Sequence, residues 1–243
     1  MISQKSVLEA VNYRRSIRVF STESIDKSEV RQCIQQAVLA PNSSNLQLWE
    51  FHHIVSSDSI DKMTPYCFNQ NATKTAQQLV VVVVRKDLWR KRAKANIDHL
   101  NRIFGDNTTD KQSKREKFSK NYYKKLIPFT YSDFFGILGW FKYLLAILVG
   151  LFKPMYRELR AQDLRVVAHK STGLAAQTFM LSMAAIGYDT CPMEGTDTLR
   201  IKRLLKLPYG AEINMVIACG IRKQEGVYGE RFRVPFEEVC KEW

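Results

Sequence analysis

Five arginines near the two ends of the 243-residue chain have the chemistry of a phosphate clamp: Arg14, Arg15 and Arg18 in one run, Arg231 and Arg233 in the other. Guanidinium groups hold phosphate oxygens through paired, planar, charge-assisted hydrogen bonds. Arg231 and Arg233 are two apart, so on an extended segment they point the same way. Arg14 and Arg18 are four apart with Ser16 between them; the competing reading of that pair is a solvated helix face. Two polar segments lie between the runs. Asn42, Ser43, Asn45 and Gln47 follow Pro41 and offer amide and hydroxyl groups, although Pro, Asn and Ser also form a plain helix-to-strand turn. Pro192-Met193-Glu194-Gly195 combines a turn with a glycine that permits close approach. Together these segments suggest a pocket for a phosphorylated, flat, polar ring system.

The order R-R-S-x-R, P-x-S-x-N-x-Q-x-W, P-x-E-G after a helix, and R-x-R-x-P resembles the FMN-dependent nitroreductase family. The resemblance covers residues 5–84 and 166–236, and residues 86–165 have no clear counterpart. It implies an α+β fold, a mainly antiparallel central sheet wrapped by helices, in an interlocked homodimer with the flavin at the subunit interface. It also implies NAD(P)H as electron donor, a small-molecule acceptor such as a quinone or nitroaromatic, and ping-pong hydride transfer. The cofactor carries such chemistry, so no side chain need act as acid or base.

By the same resemblance, Arg14, Arg15, Ser16 and Arg18 contact FMN. The cation at Arg18 would sit by the pyrimidine edge, where it favours the reduced ring. The family often has His at the position of Arg15. Asn42, Ser43, Asn45 and Gln47 reach the flavin of the partner subunit, and Leu48 stands where many members have Pro. Asn69 matches an Asn that bonds the flavin ring; a helix N-cap suits it equally well. Pro192, Met193, Glu194 and Gly195 would lay backbone amides against the flavin. Ser171 stands where some members have Gln, so its hydroxyl replaces or loses one contact. Two alternatives stay open: specialised flavin chemistry (reductive dehalogenation or flavin breakdown), and a non-catalytic flavoprotein whose basic stretch binds lipid.

The elements that must position these groups are legible in outline. Residues 3–13 read as a helix with Val7, Leu8 and Val11 on one face. Asp26 with Glu29 reads as a capping box opening a helix that runs to about Ala40 and is stopped by Pro41. Residues 48–55 predict a strand and 71–78 a helix. The unbroken run Leu79 to Val84 predicts a strand buried on both faces. Ala168–Ile186 predicts a helix closed by Gly187, 197–205 a short helix, and 213–221 a second buried strand. The chain reads as one domain, 1–243, with a helical insertion at 86–165.

Apolar residues make up 45% of the chain, enough for a core. Five scattered cysteines without a C-x-x-C pair, and no signal-like N-terminal segment, point to a reducing cytoplasm. The four histidines have no ligand spacing, and no G-x-G-x-x-G or Ser-His-Asp set occurs. The net charge is +13, and residues 85–125 carry fourteen Lys/Arg against five Asp/Glu. Such a stretch is either a solvated helix surface or a contact for anionic lipid, nucleic acid or an acidic substrate. Without stacked aromatic–basic repeats, nucleic acid is the weaker partner. Residues 134–152 form an apolar run with Lys142 at its middle. One membrane span there would put the two buried strands on opposite sides of a bilayer. The expectation is therefore a helical hairpin or an interfacial helix bent at Gly139 or Gly150. It would serve as an active-site lid, a dimer contact, or a peripheral membrane contact through 111–152.

Overall fold

Seven consecutive buried residues, Gln78–Val84, form the central strand β2 of a computed structural model. The model describes residues 4–104, 110–134 and 136–243. Ser3 of the expected first helix and residues 105–109 and 135 of the expected insertion lie outside that description, as do the side chains of 110–113.

The chain opens with α1 (Val7–Tyr13) and α2 (Lys27–Ala37), followed by β1 (Trp49–Ile54). Next come α3 (Ser57–Met63), α4 (Asn71–Lys74) and β2. The expected insertion holds α5 (Trp89–Phe104), α6 (Asp110–Asn121), a π-helical turn at Tyr122–Leu126, α7 (Ile127–Tyr131) and α8 (Ile137–Val149). The chain then forms α9 (Ala161–Ala185), β3 (Asp189–Met193), α10 (Thr198–Leu204), β4 (Glu212–Gly220) and α11 (Phe236–Val239).

The strand order is β1-β2-β4-β3, with every neighbouring pair antiparallel. Alternation along β2 explains its composition. Leu79, Val81 and Val83 pack on one side with Ile60, Met63 and Ile201. Val80 and Val82 pack on the other with Val30, Phe179 and Met183. With helices on both faces, every β2 side chain is buried, and β-branched residues fit that environment. The fold is the expected α+β arrangement of an antiparallel sheet wrapped by helices.

Several boundaries differ from the sequence reading. α1 starts at Val7, where Ser6 and Glu9 form a reciprocal capping box. Its expected apolar face is exposed: Val7, Leu8 and Val11 keep 77%, 72% and 45% of their surface, while Ala10 is buried. Asp26 caps α2, but Glu29 does not reach back; its carboxylate takes the Tyr188 hydroxyl instead. α2 ends at Ala37, four residues before Pro41. Only Asn71–Lys74 of the segment 71–78 is helical, because Gln78 already belongs to β2. α9 begins seven residues earlier than expected, so residues 161–165 are its first turns.

The apolar run is one helix and not a hairpin. Gly136 (φ 85°) precedes α8 and Gly150 caps its end. Gly139 is no bend: a Cβ there would lie 3.1 Å from the Arg160 Cα, so the glycine lets α8 pack on the start of α9. Lys142 is 3% exposed, and its ammonium donates to the Ser132 and Thr130 carbonyls. Burial lowers its pKa, with Asp133 opposing. Among the described residues no helix is long and apolar enough to cross a membrane. Trp89, Ala93, Ile127 and Tyr131 share one core cluster with Leu46, Leu48 and Val84, which ties the 86–165 region to the sheet.

Candidate functional site

The arginine run lies extended along the β3 edge of the sheet. Ser16 bridges Thr190, the Ile17 amide donates to the Thr190 carbonyl (3.1 Å), and the Arg18 amide donates to the Gly226 carbonyl (2.8 Å). Alternation then sends Ile17 fully into the core and leaves Ser16 exposed and Arg18 half-buried. Gly226 permits the fit, since a Cβ there would stand 2.2 Å from the Val19 carbonyl oxygen.

The far end of the chain comes to the same place. Arg14, Arg15, Ser16, Arg18, Arg231 and Arg233 line one cleft of about 220 Å³, together with Tyr228, Glu230 and Phe232. Arg231 donates to the carbonyls of Asn12 (2.9 Å) and Arg14 (2.7 Å), and Arg15 to that of Gly229 (2.9 Å). Arg222 takes the intervening Tyr13 carbonyl (3.1 Å). Guanidinium groups thus satisfy carbonyls at the C-terminal end of α1, where a helix offers partial negative charge. Arg231 is therefore partly a strap, whereas the hydrogen bond Arg233 makes is to the neighbouring Phe232 carbonyl.

None of the five cleft arginines pairs with a carboxylate among the described residues. Burial, then Arg231, Arg233 and Arg15, push the Arg14 pKa below its ordinary value. A converging, uncompensated set of guanidinium groups is a site for a multiply charged anion.

The turn after β3 borders this edge. The Met193 side chain is buried, Pro192 is half-buried, and Glu194 and Gly195 are exposed. A Cβ on Gly195 would meet only open space, and its φ is not in the left-handed region. Internal packing thus gives no reason for a glycine there, and the backbone is open to an incoming group. Gln70 donates to the Gly195 carbonyl (3.0 Å), which draws the 68–70 turn alongside. Asn69 in that turn is exposed at φ 53° and is not a helix N-cap; Gln70 holds that position in α4. The side-chain oxygens of Thr190 and Thr196 are buried with no hydrogen-bond partner.

Residues 41–47 lie elsewhere. They precede β1, at the opposite edge of the sheet, and none lines the arginine cleft. Three strand spacings separate the edges, roughly 14 Å. Ser44, Asn45 and Gln47 have φ of 55°, 48° and 48°, a conformation uncommon outside glycine. The loop is held by its own polar groups. The Asn42 Oδ1 accepts from the Gln47 amide (2.8 Å), and the Ser171 hydroxyl accepts from the Ser43 amide (3.2 Å). Asn45 and Asn96 exchange bonds of 2.9 Å each, and Tyr122 and Tyr123 bond the Ser44 hydroxyl and carbonyl. Asn42, Asn45 and Ser171 are thus engaged in shaping the loop. The Ser43 hydroxyl and the Gln47 side-chain amide, whose Nε2 makes only 3.4 Å contacts within the loop, remain to be presented.

Sequence reading missed Asn96, Tyr122 and Tyr123 as supports of this loop, because they lie between 86 and 165, where no motif marks them. The adjacent tyrosines next to a basic run were the one signal available. Replacing Asn96 by Ala is expected to cost about 1–3 kcal/mol, because it removes two hydrogen bonds to Asn45 worth about 0.5–1.5 kcal/mol each. Urea denaturation checks this; an unchanged midpoint would show that the loop holds without it.

The nitroreductase family profile matches residues 11–221 and so runs through residues 86–165, which the sequence motifs alone left without a counterpart. The chain belongs to that family. A Staphylococcus haemolyticus protein provisionally named an NAD(P)H nitroreductase is 25% identical over 99% of this chain and 98% of its own. A provisionally named NAD(P)H:FMN oxidoreductase from Staphylococcus epidermidis shares the fold with a TM-score of 0.72 at 20% identity, over 100% of this chain and 98% of that one. So does a provisionally named nitroreductase from Exiguobacterium sibiricum, solved in complex with FMN, with a TM-score of 0.68 at 20% identity over 99% of both chains.

Proposed function

We propose that this protein is an FMN-dependent NAD(P)H oxidoreductase that acts as a homodimer on a small-molecule acceptor. The observation that carries the reading is the cleft in which arginines from both ends of the chain converge without carboxylate partners. The residues present fit FMN. Arg14, Arg15, Ser16, Arg18 and Arg233 would hold the phosphate and the charged edge of the cofactor, and Arg231 would fix the cleft wall. The open backbone at Glu194–Gly195 and the exposed Asn69 would border the ring. The chemistry that bound FMN supplies is hydride acceptance from NAD(P)H and electron delivery to a quinone or nitroaromatic, in ping-pong order.

Two features support a dimer. The 41–47 loop is on the wrong edge to meet its own chain's cleft, so a second copy is needed to bring Ser43 and Gln47 to the ring. The C-terminal segment also leaves Tyr228, Phe232, Val234, Phe236, Val239 and Trp243 exposed, as α1 leaves Val7 and Leu8. Apolar surface on this scale suits an interface. In this reading residues 86–165 are part of a single domain and support the loop through Asn96, Tyr122 and Tyr123.

Purified protein is expected to be yellow, to lose that colour when NADPH or NADH is added without oxygen, and to regain it on adding a quinone. Protein that cannot take up FMN would overturn the proposal. Protein that holds FMN but is not bleached by either nucleotide would overturn the oxidoreductase part.

A further inference from the structure

The outward side of α8 is apolar from end to end. Ile137, Trp140, Phe141, Leu144, Leu145 and Leu148 each keep 45–68% of their surface, and Leu151 and Phe152 just beyond keep 71% and 90%. The one charge in the helix, Lys142, points inward to backbone carbonyls. Phe129 of α7 lies under the Lys142 ammonium, 5.3 Å from nitrogen to ring centre. Phe129 also lines an apolar groove of about 360 Å³ with Phe118, Tyr122, Lys125 and Leu126. Phe129 thus places the groove beside the inward side of α8.

Exposed cations border this surface. Lys153 and Arg157 stand at the C-terminal end of α8, where Arg157 donates to the Gly150 carbonyl (3.3 Å). Lys124 and Lys125 precede α7. The nearby carboxylates are largely engaged: Asp133 accepts from the Phe134 and Gly139 amides, Asp163 pairs with Arg160, and Glu116 pairs with Lys120. Glu158 is the exposed acid in the segment after α8.

We propose that the outer face of α8 docks on an anionic lipid bilayer and lies in its interface. Length excludes a crossing. Thirteen residues span about 20 Å, against a hydrocarbon core of about 30 Å. The make-up of the face fits the interface: aliphatic side chains for the acyl boundary, Trp140, Phe141, Phe152 and Tyr156 at headgroup depth, and cations for anionic headgroups. Each lysine or arginine near such a surface strengthens partitioning about fivefold. A second copy of the chain is the poorer occupant, because two copies joined here would bring two basic regions together, each with the local excess of 85–125. α8 also lies at the opposite end of α9 from the α1 part of the proposed dimer contact. Gly139 packs α8 on the start of α9, whereas Lys5 near α1 bonds the Ala185 carbonyl at its far end. The 25 residues between span about 37 Å.

Flotation of the full-length, FMN-loaded protein with vesicles tests this. The wild type is expected to float with phosphatidylcholine–phosphatidylglycerol vesicles and to remain below with phosphatidylcholine alone. Trp140→Asp with Leu144→Asp, and separately Lys153→Glu with Arg157→Glu, are expected to lower binding by about tenfold or more. Both pairs are exposed, so FMN content should match the wild type and report an intact fold. Wild type that fails to float with anionic vesicles overturns the proposal, as does equal flotation of the aspartate variant. A lowered molar mass of the aspartate variant by light scattering, with a wild type that does not float, would assign the face to a second copy instead. FMN content and bleaching, read in the same samples, keep this result separate from the redox proposal.

Discussion

Replacing Arg233 by Gln is expected to weaken FMN binding and to stabilise the FMN-free protein, two effects of opposite sign from one substitution. Arg14, Arg15, Arg18, Arg231 and Arg233 share a cleft of about 220 Å³ with no ion-pair partner. Arg233 is among the neighbours that lower the Arg14 pKa, after burial itself and Arg231. Without an anion these charges repel one another, and removing one relieves about 0.2–1 kcal/mol, the scale of an exposed charge pair. With a phosphate present the balance reverses. A hydrogen bond to a charged group is worth about 1.5–3 kcal/mol, or roughly 10- to 150-fold in Kd. Arg233 suits the test because its own hydrogen bond goes to the adjacent Phe232 carbonyl, so the wall of the cleft should survive. Arg231→Gln should behave differently and destabilise both forms, since it releases the carbonyls of Asn12 and Arg14. Thermal melts with and without FMN, plus calorimetric titration, separate these outcomes. A lower melting temperature of FMN-free Arg233→Gln, or an unchanged Kd, would mean that the cleft is not an anion site.

The difference between Arg231 and Arg233 shows what the sequence could and could not reveal. Residue type and order were enough to bring positions 14 and 233 together, because each motif abuts the same sheet edge. The unbroken valine run likewise announced a strand covered on both faces. Neither pattern says which guanidinium is consumed by backbone carbonyls, as that depends on where the end of α1 meets the C-terminal segment. The same limit applies to Asn42 and Asn45. Their amides were legible as ring-binding groups, but the left-handed conformations at Ser44, Asn45 and Gln47 turn them onto the loop itself. Periodicity failed differently at α1. Val7, Leu8 and Val11 do share the spacing of a buried face, yet they stay exposed in one chain. A hydrophobic pattern reports that a face will be covered, not whether its own chain covers it. Lys142 shows another limit: a charge at the centre of an apolar run spoke against a membrane span, but not for where the charge goes, and the fold hides it by donating to the Ser132 and Thr130 carbonyls.

Asp189→Ala is expected to have the largest effect on stability, through a group that touches no ligand. The Asp189 carboxylate is buried on β3 and faces Arg222. It accepts from the Arg222 backbone amide (2.9 Å) and side-chain Nε (2.9 Å), and Tyr13 reaches it at 3.5 Å. The Arg222 guanidinium also stacks 4.0 Å from the Tyr13 ring centre and holds the Tyr13 carbonyl. Burial raises the Tyr13 phenol pKa, and Asp189 adds to it, so the phenol stays a neutral donor, here to the Gly187 carbonyl (3.1 Å). The chain enters the arginine run one residue after Tyr13. Loss of the carboxylate leaves a half-buried guanidinium without its counter-charge, which costs about 3–5 kcal/mol when one partner of such a pair is removed. Asp189→Ala with Arg222→Met should recover part of that loss, because no orphan charge remains. FMN affinity should fall in both variants, since Arg14 loses its anchored neighbour. Urea unfolding of both single variants and the double variant measures the coupling. If Asp189→Ala costs under about 1 kcal/mol, or the double variant costs the full sum of the singles, the pair is not what fixes the end of α1 against the sheet.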